Sequence, residues 1–234
     1  MCFRGRGCAL AGKPEKVAKF KAKPGASPKP NNPQLAAMIE SIDDGIGEIL
    51  HSLDDLGLTQ NTLVVFNSDN GGEDRVTSNA PLRAGKSHLY EGGIRVPLII
   101  RWPAGIASGS SCDTPVVTMD FFVTLIELVG LKPAQSLDGT SLVPLFHGGR
   151  GLPPRDLVWH YPLEKPHFLG GRSAGAIRRG DLKLIEFYDT GTVELYDLSR
   201  DIGEAHNLAD QMPERVAELR TRLRQWREQV PAKD

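Results

Sequence analysis

Residues 61–72 read NTLVVFNSDNGG, and the way this run stops governs the whole reading. Thr62 to Phe66 is a short, unbroken apolar run of β-forming residues. It predicts a strand buried on both faces, as in a parallel sheet covered by helices. The run halts at Ser68-Asp69-Asn70-Gly71-Gly72. In open α/β sheets, ligands collect at the carboxyl ends of strands. The polar pair Asp69-Asn70 therefore sits where chemistry is expected.

Upstream lies a helix. Asn32 can cap it and Pro33 can occupy its first position. Leu35, Met38, Ile39, Ile42, Ile46, Ile49, Leu50 and Leu53 recur at steps of three and four, giving one apolar stripe. Gly57 is its expected stop. Before the helix, residues 1–31 hold eight Lys or Arg and one Glu, and end in KPGASPKPN. They read as a basic, poorly ordered leader. Their +7 balance leaves −8 on the remainder, since the whole chain carries −1.

Downstream, Val96 to Trp102 reads as a second buried strand. Val116 to Val129 reads as a helix with Val117, Phe121, Leu125 and Leu128 inward. Short strand-like runs follow at 156–160, 176–178, 182–187 and 193–198, with a hairpin turn at Arg179-Gly180-Asp181. A helix starting near Pro213 closes the chain, with Val216, Leu219, Leu223, Trp226 and Val230 on one face. The expected organisation is an α/β layer over residues 32–150, then a smaller α+β subdomain over 151–234, with an antiparallel sheet and a closing helix.

Composition excludes several classes. The 234 residues are 40% hydrophobic and 24% charged, which is ordinary for a globular protein. No apolar stretch reaches the roughly 18 to 20 residues that a bilayer span needs. The first residues show no signal-peptide pattern. Cys2, Cys8 and Cys112 match neither a disulfide framework nor a zinc spacing. No nucleic-acid motif is present.

Asp69 and Asn70 offer a carboxylate and an amide carbonyl, the hard oxygen donors that calcium and magnesium favour. The same four residues, Asp-Asn-Gly-Gly, also make a common turn. Sixteen residues after Asn70 stands Lys86, within LRAGKSHLYEGGIRVP. A lysine is a point charge suited to a tetrahedral anion. Gly85, Gly92 and Gly93 require the segment to turn or to approach other backbone closely. The segment joins the two predicted strands, which keeps Lys86 near the sheet edge that holds Asp69. His160 and His167, in VWHYPLEKPHF, could touch substrate, and His88 lies two residues from Lys86. Arg83 and Arg95 could bind an anion, and Glu91 is read as a cap for backbone groups in its turn.

Taken in order, SDNGG, LRAGKSHLYEGGIRVPLIIRWP and DGTSLVPLF resemble the C-terminal half of formylglycine-dependent sulfatases. The preceding AAMIESIDDGIGEIL and the later AIRRGDLKLIEF and VELYDLSRDIGEAHNLA fit the same family, so the resemblance covers about residues 33–230. It implies an alkaline-phosphatase-like α/β fold, incomplete here. It assigns Asp69 and Asn70 as two Ca²⁺ ligands and Lys86 as the catalytic lysine that holds a sulfate oxygen. It implies a sulfate ester as substrate, with sulfated carbohydrates among the candidates, and a periplasmic or extracellular location. It places His160 and His167 near the substrate entrance. The family's nucleophile comes from a Cys/Ser-x-Pro-Ser-Arg motif, which this sequence lacks. A sulfuric-ester hydrolase fragment without turnover of its own is therefore expected. Its rivals are a non-catalytic remnant that binds a partner or anion, and a phosphate- or phosphonate-ester hydrolase.

Overall fold

The computed structural model describes residues 10–133, 135–149 and 151–230. Its helices are α1 (Pro14–Lys21), α2 (Pro33–Asp55), α3 (Glu91–Ile94), α4 (Met119–Leu128), α5 (Val143–Phe146) and α6 (Pro213–Gln229). Its strands are β1 (Val64–Asn67), β2 (Leu98–Arg101), β3 (Asp156–Tyr161), β4 (Ala174–Arg179), β5 (Leu182–Phe187) and β6 (Val193–Asp197). β1 and β2 form a two-stranded ribbon, and β3 to β6 form a four-stranded meander.

Helix α2 begins and ends as its sequence dictates. The Asn32 side-chain oxygen accepts from the N–H groups of Gln34 and Leu35. Gly57, at φ +67°, takes the left-handed conformation just beyond the end. The apolar stripe is there, but much of it is uncovered: Ile39, Ile42 and Ile49 are 56%, 55% and 58% exposed.

The reading of residues 1–31 as a poorly ordered leader is corrected for its described part. Residues 14–21 form α1, which packs along α2. Lys16 pairs with Asp44 and Lys19 with Glu40. Val17 is buried, and the Gly12 N–H donates to the Gln34 side-chain oxygen at 2.9 Å. Composition hid this element because its acidic partners come more than twenty residues later. Residues 1–9, with Cys2 and Cys8, lie outside the described residues.

The strand at 62–66 is also corrected. β1 pairs antiparallel with β2, setting Val64 opposite Arg101 and Asn67 opposite Leu98. It is not enclosed on both faces, since Val65 and Phe66 are each 40% exposed. An apolar run shows that a strand calls for cover, but not which neighbour pairs with it or in which direction.

The meander follows strict alternation. Ala174, Ala176, Ile185, Phe187 and Tyr196 point to one face, where Leu89 and Tyr90 pack against them. Ile177, Leu184 and Leu195 point to the other, under Leu219 and Leu223 of α6. The two-residue turn Gly180-Asp181 sets Arg179 opposite Leu182, with Gly180 at φ +59°.

Helix α4 departs from its apolar-stripe reading. Its buried residues are Asp120 and Thr124, while Leu125 is 48% exposed. Arg155 forks onto Asp120, with Nη1 donating to Oδ1 at 2.6 Å and Nη2 to Oδ2 at 2.5 Å. The N–H groups of Val117 and Thr140 complete the carboxylate. The Thr124 hydroxyl accepts from the Leu142 N–H and donates to the Asp120 carbonyl. A Cβ on Gly139 would lie 2.3 Å from the Met119 carbonyl oxygen. The 138–146 motif is thus a strap drawn onto α4 by buried polar groups.

Burial alone would push the Asp120 carboxyl up, but the Arg155 fork and the two N–H donors outweigh it and hold the group below its ordinary value. Its stabilisation is complete above about pH 4, the unfolded carboxyl value, and is lost as pH falls through the lower folded value. Urea melts should therefore show wild type losing stability more steeply than Asp120→Asn below about pH 4. At pH 7, Arg155→Leu should cost about 3–5 kcal/mol, because it leaves a buried carboxylate without its cation.

Candidate active site

The end of β1 is stitched to the Lys86 segment through backbone contacts that only glycine permits. Gly71 donates its N–H to the Gly93 carbonyl at 2.9 Å, and Lys86 donates its own to the Gly72 carbonyl at 3.0 Å. A Cβ on Gly71 would lie 1.7 Å from the Gly92 oxygen, and one on Gly85 would lie 2.3 Å from the Gly72 oxygen. Asn79 seals the junction. Its Oδ1 accepts from the Gly72 N–H at 3.0 Å, and its Nδ2 donates to the carbonyls of Gly72 and Ala84 at 2.9 and 3.0 Å. Sequence reading passed over Asn79, because nothing in RVTSNAPL distinguishes it from an ordinary loop asparagine. Ala80-Pro81 just beyond it is a cis bond.

This stitching places Asp69, Asn70 and Lys86 on the wall of one open cavity of about 1380 Å³. The side chains of Asp69 and Lys86 are exposed. Lys86 sits between Ala84 at φ 57° and Ser87 at φ 76°, two non-glycine residues in the left-handed region. The Ser87 hydroxyl is buried and has no hydrogen-bond partner among the described residues. A Cβ on Gly171 would lie 1.9 Å from the Ser87 carbonyl oxygen, so the turn at 167–171 is pressed onto the lysine loop. That turn carries His167 to the same cavity. The His167 Nδ1 accepts from the Leu169 N–H at 3.2 Å, which assigns the ring proton to Nε2. His88 also lines the cavity, with Nδ1 3.3 Å from the carbonyls of Gly85 and Lys86.

The remaining sequence candidates take other roles. His160 does not line the cavity; its Nδ1 lies 2.9 Å from the Tyr188 hydroxyl, and its ring packs edge-on to Trp226. It stands in β3, where alternation turns it toward α6 rather than toward Lys86. Arg83 is a structural tie. Its Nη1 donates to the Tyr196 hydroxyl and the Glu204 carbonyl, both at 2.8 Å, and its guanidinium stacks 3.9 Å from the Tyr90 ring centre. Tyr90 and Tyr196 both donate to Glu194 at 2.7 Å. Burial first, then these bonds to Glu194, push both phenols well up.

Glu91, read as a backbone cap, is instead one carboxylate of a buried ion cluster. Lys183 is fully enclosed, with Nζ 2.8 Å from Glu91 Oε1 and 2.8 Å from Glu204 Oε1. The Glu204 contact is Coulombic, since Oε1 has no hydrogen bond. Glu204 Oε2 accepts from the Glu91 N–H at 2.6 Å, so Glu204 is the residue that caps this turn. Burial pushes the Glu204 carboxyl up, and Lys183 offsets this only in part. Arg95 reaches the other Glu91 oxygen at 3.4 Å.

The residues present fit part of a calcium shell. Asn70 Nδ2 lies 2.5 Å from Asp69 Oδ1, so both side chains converge on one point. Turned over, the amide would offer its oxygen beside the carboxylate, and both are hard donors of the kind calcium takes. Two donors leave most of six to eight positions to other groups. Among the described residues, no cluster of three His, Cys, Asp or Glu could hold a metal. The formylglycine does not fit: Cys112 reads Cys-Asp-Thr-Pro-Val and lacks the motif's Pro, Ser and Arg positions.

Asn79→Asp, which turns an amide donor against two carbonyls, should cost about 1–3 kcal/mol. Hydrogen exchange of the Lys86 amide should accelerate in the same variant. Lys183→Met should cost about 3–5 kcal/mol in a thermal melt, because two carboxylates then share a dry site.

Comparison with known proteins agrees over residues 10–229. The Sulfatase family profile matches residues 10–131, and the profile for the C-terminal part of N-sulphoglucosamine sulphohydrolase matches residues 84–229. A sulfatase of Formosa agariphila is 34% identical over 89% of this chain and 42% of its own length. Human arylsulfatase A is 34% identical over 71% of this chain and 37% of its own. The crystal structure of Ps i-CgsB bound to k-i-k-neocarrahexaose superposes with a TM-score of 0.79 at 29% identity, over 94% of this chain and 47% of that one. A structure in complex with its substrate D-glucosamine-2-N,6-O-disulfate gives a TM-score of 0.69 at 29% identity, over 84% of this chain and 40% of that one. The chain thus spans less than half the length of these relatives. With its glycine-stitched lysine loop and its strap on α4, it belongs to the sulfatase family, and its fold is a C-terminal part of the alkaline-phosphatase-like α/β architecture.

Proposed function

We propose that this chain supplies the cation- and anion-holding side of a sulfuric-ester hydrolase site. The observation that carries this reading is the shared cavity wall of Asp69, Asn70 and Lys86 at the carboxyl end of β1. Asp69 and Asn70 would give two oxygens to calcium. Calcium, when bound, supplies positive charge against the sulfuryl oxygens. The Lys86 ammonium holds one oxygen of the tetrahedral anion as a point charge. His167, on the same cavity wall, would touch the substrate through its Nε2–H. Arg83, Glu91 and Glu204 act through Lys86, by fixing the loop that carries it.

A sulfated carbohydrate is the proposed substrate class. Two of the similar structures are named with saccharide ligands, and the cavity is open enough for a chain of sugars. The periplasm or the cell exterior is the proposed compartment. No described helix is long and apolar enough to cross a membrane.

Calorimetry on the 234-residue chain should give a calcium dissociation constant on the order of 10⁻⁴ M or weaker, as expected for a shell filled largely by water. Asp69→Ala should abolish that heat. With calcium present, an aryl sulfate should yield no product above a Lys86→Ala control. Submicromolar calcium affinity, or turnover that Lys86→Ala removes, would show that the chain holds a complete site.

A further inference from the structure

Two arginines of the Lys86 cavity have no part in the chemistry assigned so far. Arg95 and Arg178 both line it. Arg178 lies in β4, and strand alternation puts it on the face of Ala174 and Ala176, toward the lysine loop. Its register partners are Leu157 on β3 and Lys183 on β5. Arg95 follows α3, and its exposed side chain reaches back to Glu91.

The charges at this end of the cavity are not matched. Arg95, Arg178 and Lys183 draw on the two buried carboxylates of Glu91 and Glu204. Glu91 gives Oε1 to Lys183 at 2.8 Å and Oε2 to Arg95 at a loose 3.4 Å. Glu204 spends Oε1 on Lys183 and Oε2 on the Glu91 N–H. Arg178 keeps one bond, from Nε to the Gly180 carbonyl at 2.9 Å. Among the described residues, its Nη groups meet no acceptor, and Glu91 and Asp181 act on it only from beyond ion-pair distance. Burial opposes its charge most, and the like charge of Arg95 adds to that, so the group lies below the ordinary arginine value. A half-buried guanidinium with its Nη donors open is a fork that lacks its anion.

This position is set apart from Lys86 along the sheet. His167 rides on the loop between Tyr161 and Ala174, and that loop presses on Ser87 beside Lys86. Arg178 stands opposite Leu157, toward the other end of β3. From Leu157 to Tyr161 the strand advances about 13 Å, at about 3.3 Å per residue. Trp159 and Tyr161 line the cavity along this stretch. Their flat apolar faces can carry the C–H faces of sugar rings.

We infer that Arg95 and Arg178 form a second oxyanion-binding position at the far end of the Lys86 cavity, which takes a further acidic group, sulfate or carboxylate, of a sulfated saccharide longer than one ring. The inference rests on the saccharide reading proposed for the Lys86 site and narrows it. Saccharides with a second anion one or more rings away are held at both ends, with Arg178 as the fork and Arg95 as a second charge.

The test is calorimetric binding of two probes to the 234-residue chain. One is a doubly sulfated carrageenan tetrasaccharide, which has no carboxylate. The other is a desulfated chondroitin tetrasaccharide, which has carboxylates alone. Wild type is expected to bind at least one of them. Arg178→Gln and Arg95→Gln should each weaken that binding about tenfold, as for one charge-assisted pair. Arg178→Lys keeps the charge without the fork and should restore only part of the loss. Circular dichroism and melting of Arg95→Gln, an exposed position, should match wild type, which separates lost binding from lost folding. A loss seen with the carrageenan probe alone assigns a sulfate, and one seen with the desulfated probe alone assigns a carboxylate. Lys86→Ala separates this inference from the reading beneath it. If that variant binds like wild type while the arginine variants bind weakly, the Lys86 reading fails and the second position stands. Full affinity in both arginine variants overturns the second position, whatever Lys86→Ala does. So does a wild-type chain that binds neither probe.

Discussion

Lys183 has no contact with water, and everything around the site depends on how that is tolerated. An ammonium so enclosed survives only when carboxylates close on it. Glu91 and Glu204 do so, from two different loops. Glu91 opens α3, directly after the lysine segment, and Glu204 follows β6 at φ 51°. The meander therefore cannot complete its core without drawing the Lys86 loop down onto it. Arg83, Tyr90, Tyr196 and Glu194 repeat the same union a few residues away. The Lys86 loop becomes part of the wall of a small sheet.

Much of this was legible in the sequence. The cap at Asn32, the stop at Gly57, the turn at Gly180 and the strand runs of the meander are local, and local signals carry them. The grouping of Asp69, Asn70 and Lys86 was legible too, because glycines between two apolar runs leave the backbone few alternatives. What was not legible depends on partners distant in sequence. The helix at 14–21 is fixed by acids on α2. The buried side of α4 is polar because Arg155 reaches it from 35 residues away. His160 reads like His167 in the sequence, but strand alternation turns it toward Tyr188 and Trp226. The direction of the β1 pairing lies in no pattern of single residues.

The cavity divides its surface between two kinds of chemistry. Asp69, Asn70 and Lys86 line it where β1 ends, and Ile99, Ile100, Phe121 and Phe146 give it an aliphatic and aromatic wall. The polar end is held by hydrogen bonds and glycine contacts internal to this chain. The apolar wall is held by the ribbon and by the strap that Asp120, Thr124 and Arg155 fix onto α4.

The two left-handed residues around Lys86 have a further consequence. Ala84 and Ser87 hold a backbone shape that alanine and serine seldom adopt, and packed glycines on either side enforce it. For an anion bound at Lys86 as proposed, the main chain beneath the lysine would have no freedom left to surrender. Only the torsions of one flexible side chain remain to be stilled. In that proposed role the loop's shape is set during folding, and the ammonium could exchange one oxyanion for the next without the loop having to reform.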